Sequence, residues 1–415
     1  MARRSYRLEL AAWSLLPIMM GAVEGGVVGT IATRAFAGVA SDGAIELSVG
    51  IIVGAGASTN LSSLLWAALA RGRNKIKALV LLQIATALCA AVPALVPMSS
   101  WGLFMLTATV VLARIFWCGV VTLRTDVWAA NWNRNTRACI TGRIMIVSAL
   151  MAALVGLLLG GMLDRNPEAF RWMFPFAALT GLLAAAIYGR VRVRRHKALQ
   201  QSERDAAPTA RLRLTDLFQP LVTNRPFRRF MACLFVLGSG NMMVEAPLVL
   251  ALNDTFATDY LLSIAVVSSI PILTLPLAVG FWSRLLDRVH VIRFRAVHSW
   301  TFVCSNALLL LGIALGMLPI VIVAAVVRGI GFAGGVLAWN LGHHDFALKG
   351  ESGTYMGTHV TLTGIRGLVA PLAGVFLWQW IGWPTFAIPL VLSIIGATGF
   401  LALSRAWKCS EIPAS

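Results

Sequence analysis

The feature that most constrains this chain is a series of apolar runs, each roughly 20 residues long, that repeats from near the N-terminus almost to the C-terminus. A helix of that length crosses a hydrocarbon core about 30 Å thick. Lipid offers no hydrogen-bond partner to the backbone, so each run must be a helix or a strand of a closed barrel. The runs are too long and lack the alternation that barrel strands require. We therefore predict an all-α integral membrane protein.

Composition supports this class, because 58% of the 415 residues are hydrophobic and only 13% are charged. A soluble domain of this size would expose far more charge. Charged residues and proline or glycine turns divide the apolar sequence into twelve predicted spans. They lie near 11–33, 47–70, 78–97, 101–123, 142–163, 172–189, 229–252, 260–282, 296–317, 319–341, 358–381 and 384–404.

The formal net charge of +18 would suit a nucleic-acid-binding protein, but the basic residues alternate between loops instead of forming one patch. The loops on one side hold only Arg34, Arg165 and Arg171. Basic loops stay on the cytoplasmic side, so we expect a multi-pass protein of an inner or plasma membrane with both termini cytoplasmic. The lipid bilayer is then the expected partner, and no nucleic acid is expected.

Tryptophans cluster at the predicted span ends, where amphipathic rings anchor helices at the membrane interface. These predicted anchors are Trp13, Trp66, Trp101, Trp172, Trp282, Trp300, Trp380, Trp383 and Trp407.

One long polar insert divides the chain into similar halves. It predicts an N-terminal six-helix bundle over 1–189, a cytoplasmic linker over 190–228 and a C-terminal six-helix bundle over 229–415. Apolar residues alternate with basic ones late in the linker, which fits either a short amphipathic helix on an anionic leaflet or a disordered linker. They are Leu212, Leu214, Leu217, Phe218 and Leu221.

The two halves carry matching charged residues, as expected of transporters built from paired repeats. Spans four and ten each contain an arginine at a similar position, Arg114 and Arg328. Spans one and seven each contain a carboxylate near mid-depth, Glu24 and Glu245. We predict that these are repeat mates.

With these features the chain resembles the major facilitator superfamily over essentially its whole length. The family's acidic and basic loop motif is approximated by Leu286, Asp287 and Arg288 in the second half. In the first half, Arg71 and Arg73 keep the basic character, but the aspartate is absent. The resemblance implies twelve helices in two pseudo-symmetric six-helix bundles that carry a solute by alternating access.

Ionisable residues inside spans cost at least about 2.5 kcal/mol each, so they usually face a cavity or a partner. Glu24 and Glu245 are candidates for protonation or cation contact, while Arg114, Arg328 and Arg366 are candidates for counter-charges or anion contacts. The alternative is that they form static ion pairs that fix helix packing.

The substrate is expected to be a small molecule, moved with protons as a candidate coupling ion. Counter-charges would suit an anion or a zwitterion, whereas Trp117 and Trp339 would suit an amphipathic or planar solute. The sequence has no phosphate-binding loop, so an ion gradient or the solute's own gradient is the expected energy source. We expect a monomer without a cofactor.

The segment around His343, His344 and Asp345, followed by His359, is the most distinctive polar stretch. Its candidate roles are gating contacts, a proton relay and a metal site. Adjacent histidines on a helix point about 100° apart and do not make the i, i+4 pair of a helical zinc site, so we expect no metal. The predicted cytoplasmic gate consists of Asp126, Arg71, Arg73, Asp287, Arg288, His343, His344 and Asp345.

Two other function classes stay open at this stage. A sensor or assembly protein could retain a carrier scaffold without transporting, since a fold does not dictate a function. An integral-membrane enzyme could act on lipid-linked substrates through His343, His344 and Asp345, but its polar groups would be concentrated in one large loop. Here they are dispersed among spans, so we expect a non-enzymatic carrier.

Overall fold

The computed structural model describes residues 2–132, 134–205, 218–347 and 352–410, and these ranges are helical with no strand. They contain twelve helical segments long and apolar enough to cross a membrane, and each predicted span overlaps one of them. The predicted all-α membrane protein with twelve spans is therefore confirmed.

The helices follow one another along the chain. In chain order they are α1 (Ala2–Ala22), α2 (Gly25–Ala35), α3 (Asp42–Ser58), α4 (Ser63–Ala70), α5 (Lys75–Ala91), α6 (Ser100–Asn131), α7 (Arg134–Arg165), α8 (Phe170–Tyr188), α9 (His196–Asp205), α10 (Gln219–Thr223), α11 (Arg225–Met243), α12 (Glu245–Asp254), α13 (Tyr260–Ile264), α14 (Ile270–Leu286), α15 (Val291–Ala314), α16 (Leu318–Leu341), α17 (Ser352–Ile381) and α18 (Ala387–Ser410).

The chain divides into two compact units. Unit 1 comprises Met1–Arg211 with Asp259–Ala265, and unit 2 comprises Leu212–Thr258 with Val266–Ser415. The predicted amphipathic segment of the linker falls mostly on 206–217, which lie outside the described residues. The described part of the linker contributes α9 to unit 1 and α10 to unit 2.

Two of the tryptophans predicted as interfacial anchors instead lie inside the helical packing, and a third, Trp66, is half-buried. Trp13 and Trp282 are buried, so the prediction is wrong for them. The indole N–H of Trp66 donates to the Ile115 carbonyl at 2.9 Å, and that of Trp282 donates to the Ile330 carbonyl at 2.9 Å. Both rings therefore tie neighbouring spans together, at equivalent places in the two units.

The linker helix α9 contacts the short loop after α4. Glu203 accepts a hydrogen bond from the Gly72 backbone N–H at 2.7 Å and pairs with Lys75 at 3.1 Å. Lys75 also pairs with Asp126 at 3.2 Å, and Arg204 donates from Nε to the Gly72 carbonyl at 3.1 Å. The aspartate missing from this loop is thus replaced by an acidic side chain from the linker.

We predict that Glu203→Gln and Lys75→Gln couple energetically. Lys75 is almost fully buried, so losing either neighbour leaves its charge poorly compensated. A double-mutant cycle on thermal unfolding in detergent should give a coupling of about 1 kcal/mol. Asp205→Asn, at an exposed position on the same helix, is the control and should not couple to Lys75→Gln. Purely additive effects of the first pair would contradict the contact.

Candidate functional site

The first span of unit 1 is broken at mid-length, where a continuous helix was predicted. Helix α1 ends at Ala22, and α2 begins at Gly25 with Glu24 as its N-cap. The Glu24 carboxylate accepts hydrogen bonds from the backbone N–H groups of Gly26 at 2.8 Å and Val27 at 3.2 Å. A carboxylate at this position satisfies two free donors and faces the positive end of the helix dipole. The break therefore has a built-in anionic cap.

Arg114, from α6, is directed at the same break. Its Nη2 donates to the backbone carbonyl of Val23 at 2.8 Å. Val23 lies between α1 and α2, so its carbonyl is available because the helix is interrupted there. Glu24 and Arg114 also interact electrostatically. The structure thus brings two of the predicted site residues together in unit 1.

The first span of unit 2 places its arginine and carboxylate similarly, but it is interrupted only at Val244, which keeps helical dihedral angles (φ −70°, ψ −34°). Helix α11 ends at Met243 and α12 begins at Glu245. Nη2 of Arg328, from α16, donates to the Asn241 carbonyl at 3.0 Å and to Oε1 of Glu245 at 3.0 Å. The proposed repeat mates therefore occupy matching places, although Glu245 pairs directly with its arginine, whereas Glu24 caps a helix.

Arg366 forms a second polar centre in unit 2. Its Nη1 donates to the Leu234 carbonyl at 2.6 Å, and its Nη2 donates to the Thr363 hydroxyl at 2.9 Å. The same hydroxyl lies 3.5 Å from Nε1 of Trp339. His359, one turn from Thr363, has its ring centroid 5.6 Å from that of Trp339. An arginine, a hydroxyl, an indole and an imidazole thus converge in unit 2.

Gly238 makes room for the Arg366 guanidinium, because a Cβ at position 238 would overlap Nη1 of Arg366. We predict that Gly238→Ala displaces Arg366 and lowers stability by about 1–3 kcal/mol, the usual cost of overpacking. Gly280→Ala is the matched control: its Cβ would meet no neighbour, so it should be neutral or mildly stabilising through helix propensity. Thermal unfolding of both variants in detergent checks this. Equal effects would contradict the packing role of Gly238.

Trp117 belongs to an aromatic cluster in unit 1. Its ring lies 5.6 Å from that of Trp13, which lies 6.0 Å from that of Trp128. The Arg124 guanidinium stacks between Trp13 and Trp128, at 4.3 Å from each ring. Cation–π contacts of this kind are strongest when the cation is desolvated.

Glu9 completes this cluster and was missed from the sequence. It is fully buried and accepts hydrogen bonds from Nε1 of Trp128 at 2.9 Å and from the Tyr188 hydroxyl at 3.3 Å. Glu9 precedes the predicted first span, near 11–33, and lies in the basic N-terminal segment, so the span pattern does not include it. Its i, i+4 spacing to Trp13 is the signal that places it on a buried face.

Residues of the predicted cytoplasmic gate make contacts within each unit. Besides the Lys75–Asp126 pair in unit 1, Asp345 in unit 2 accepts a hydrogen bond from the Val291 backbone N–H at 2.8 Å and so caps α15. The two contacts are equivalent. Asp126 follows Arg114 and contacts the first residue of α5, and Asp345 follows Arg328 and contacts the first residue of α15. The His343 and His344 rings lie 4.1 Å apart, with His343 buried.

The other predicted gate residues, Arg71, Arg73, Asp287 and Arg288, are exposed. Nε of Arg71 lies 3.3 Å from the Glu203 carbonyl. Within the described ranges, no three His, Cys, Asp or Glu side chains are grouped so that they could hold a metal ion.

Twelve spans, with an arginine and a carboxylate at matching places in each unit, define a polytopic α-helical membrane protein with an internal repeat. A model of the Major Facilitator Superfamily matches residues 10–371. The match covers most of the sequence, so the chain belongs to this family. No curated protein sequence matches it significantly.

Solved structures share the whole fold at low sequence identity. A mutant of the nucleoside transporter NupG has a TM-score of 0.74 and 13% identity, covering 96% of this chain and 99% of its own. A D-xylose-proton symporter has a TM-score of 0.72 and 12% identity, covering 96% of each chain. The human organic anion transporter MFSD10 (TETRAN) has a TM-score of 0.63 and 18% identity, covering 97% of this chain and 99% of its own. These likenesses establish the fold.

Proposed function

We propose that this protein is a secondary active transporter that moves a small solute by alternating access. The observation that carries the proposal is that an arginine contacts the first span at a matching, carboxylate-bearing place in each unit, together with the break of that span in unit 1. Broken helices near mid-membrane expose backbone groups and helix ends that bind solutes and ions in many carriers. The similar folds of a nucleoside transporter and a D-xylose-proton symporter agree with this function.

The proposal extends to how the protein sits in the membrane. Both termini are cytoplasmic because the basic loops are retained there, the functional unit is a monomer, and no cofactor takes part. The enzyme alternative loses support because Asp345 caps α15 and His343 is buried against its neighbour. We assign this cluster to packing at the gate instead of catalysis.

Reconstitution into liposomes tests the proposal. Vesicles preloaded with a mixture of nucleosides, sugars and organic acids should exchange at least one labelled member of that mixture faster than protein-free vesicles. An Arg114→Gln, Arg328→Gln double variant should lose most of this exchange, since it removes both charges at the breaks. Exchange that is absent for every solute would favour a non-transporting sensor on this scaffold.

We also propose that Glu24 is the proton-coupling residue, and Glu24→Gln tests this. The glutamine still accepts the two backbone hydrogen bonds, so α2 stays capped while the ionisable group is lost. Uptake driven by an imposed pH gradient should fall to the level seen without a gradient, whereas exchange at equal pH should persist. Uptake that follows the pH gradient as in the wild type would rule out Glu24 as the coupling site.

A further inference from the structure

Unit 2 contains two buried guanidinium groups without a carboxylate partner among the described residues. Arg295 is 3% exposed and Arg366 is 4% exposed. An arginine cannot discard its charge by losing a proton, and an uncompensated charge in a low-dielectric interior is costly. Both arginines therefore require a nearby negative charge.

The neighbours of Arg295 and Arg366 are neutral. Nη1 of Arg295 lies 3.3 Å from Nδ1 of His298, whose Nε2 lies 2.7 Å from the Gly331 carbonyl. A carbonyl only accepts and a guanidinium only donates, so His298 must be the neutral Nε2–H tautomer. Arg366 donates to a carbonyl and a hydroxyl. None of these groups offsets a positive charge.

The carboxylates in the described part of unit 2 are engaged elsewhere or exposed. Glu245 pairs with Arg328, Asp345 caps α15, Asp254 accepts from Asn253, and Asp287 is exposed. Arg295 and Arg366 therefore repel each other inside the bundle without a compensating acid from these residues.

Several buried side-chain nitrogen atoms in this cluster also lack a hydrogen-bond partner. They are Nε of Arg295, Nε of Arg366 and Nε2 of His359. His359 is 2% exposed and lies within the electrostatic range of both arginines. Buried polar atoms are normally satisfied, so the unpaired Nε–H donors of Arg295 and Arg366 indicate a missing acceptor.

We infer that Arg366, Arg295 and His359 of unit 2 form a binding site for a small anion, with Trp339 beside it for an aromatic or planar body. This inference rests on the proposed transport function and names its substrate class as anionic. In the described conformation the donors are closed off, as expected of a carrier that opens its site in only part of its cycle.

Thermal unfolding of the purified protein in detergent tests the site, with sodium benzoate, benzamide and sodium phosphate as probes and sodium chloride adjusting every sample to equal ionic strength. Benzoate or phosphate should raise the melting temperature, and benzamide, the neutral analogue, should not. Stabilisation by benzoate alone identifies an organic anion, whereas stabilisation by phosphate alone identifies an inorganic one.

The variants locate the effect. Arg366→Gln and Arg295→Gln should each weaken the anion response by about tenfold or more, the value of a lost charge-assisted hydrogen bond. Arg366→Lys keeps the charge and should retain part of the response, which covers the case in which Arg366→Gln does not fold. Arg225→Gln, at an exposed position, is the control and should respond like the wild type.

The proposal is overturned if neither anion stabilises the wild type more than benzamide does, or if Arg366→Gln and Arg295→Gln respond fully. Its failure is distinguishable from that of the transport proposal. Exchange of neutral solutes without an anion response would leave transport standing and reject the anion site. An anion response without exchange of any solute would support the anion site and reject transport.

Discussion

Replacing Glu245 with alanine is expected to lower the free energy of unfolding by about 3 kcal/mol, because it leaves the charge of Arg328 buried without its paired carboxylate. Adding Arg328→Met should restore most of that loss, since no isolated charge then remains. Unfolding of the single and double variants in detergent measures both effects.

The repeat mate supplies the matched control. Glu24→Ala removes a helix cap with two hydrogen bonds, which costs about 1–2 kcal/mol. The two substitutions are therefore expected to differ, although they fall at equivalent positions in the two units. Equal losses, or a double Glu245→Ala, Arg328→Met variant no more stable than Glu245→Ala, would contradict the ion-pair account of unit 2.

Arg124→Met is expected to cost about 3 kcal/mol or more in unit 1. The substitution removes the cation held between Trp13 and Trp128 and leaves the fully buried Glu9 carboxylate without its neighbouring positive charge. Adding Glu9→Gln should recover a large part of the loss, because glutamine can still accept from Trp128 while carrying no charge.

Arg73→Met is the control for this prediction, because Arg73 is exposed on the same unit and surface substitutions usually change stability by less than about 0.5 kcal/mol. Thermal unfolding of all three variants in one detergent gives the comparison. A small effect of Arg124→Met, or no recovery in the double variant, would show that Glu9 does not depend on Arg124.

The sequence was sufficient for the class of fold, because span length and backbone chemistry act locally. A run of about 20 apolar residues must be helical in lipid whatever packs against it. The equivalence of Arg114 and Arg328 in the two halves could also be predicted, since repeats preserve the spacing of residues along the chain. Both arginines donate to backbone carbonyls at matching places in the first span of their unit.

The site was harder to predict because it depends on which residues meet across helices. Nothing local distinguishes Glu24, a helix cap, from Glu245, an ion-pair partner. Glu9 lies outside the predicted first span, and its burial depends on Trp128 and Tyr188, which are distant in sequence. Trp282 looked like an interfacial anchor until its hydrogen bond to α16 was visible.

The acidic contact at the loop after α4 also depends on a segment that is distant in sequence. The first loop motif lacks its aspartate, and on sequence grounds an acidic contact at that loop would be absent. In the structure Glu203 reaches the loop from α9, 131 residues further along the chain. A motif can therefore be incomplete in sequence while its charge is supplied by another segment.

The central claim is alternating access. It is tested most directly by measuring whether position 241 can be labelled from each face of the membrane. Asn241→Cys, in a background without the native cysteines, places a thiol at the residue whose carbonyl accepts from Arg328. In oriented vesicles, a charged membrane-impermeant thiol reagent should label this position from either face, and a transported solute should change the ratio of the two rates. Labelling from one face only, at a rate that no solute alters, would contradict alternating access.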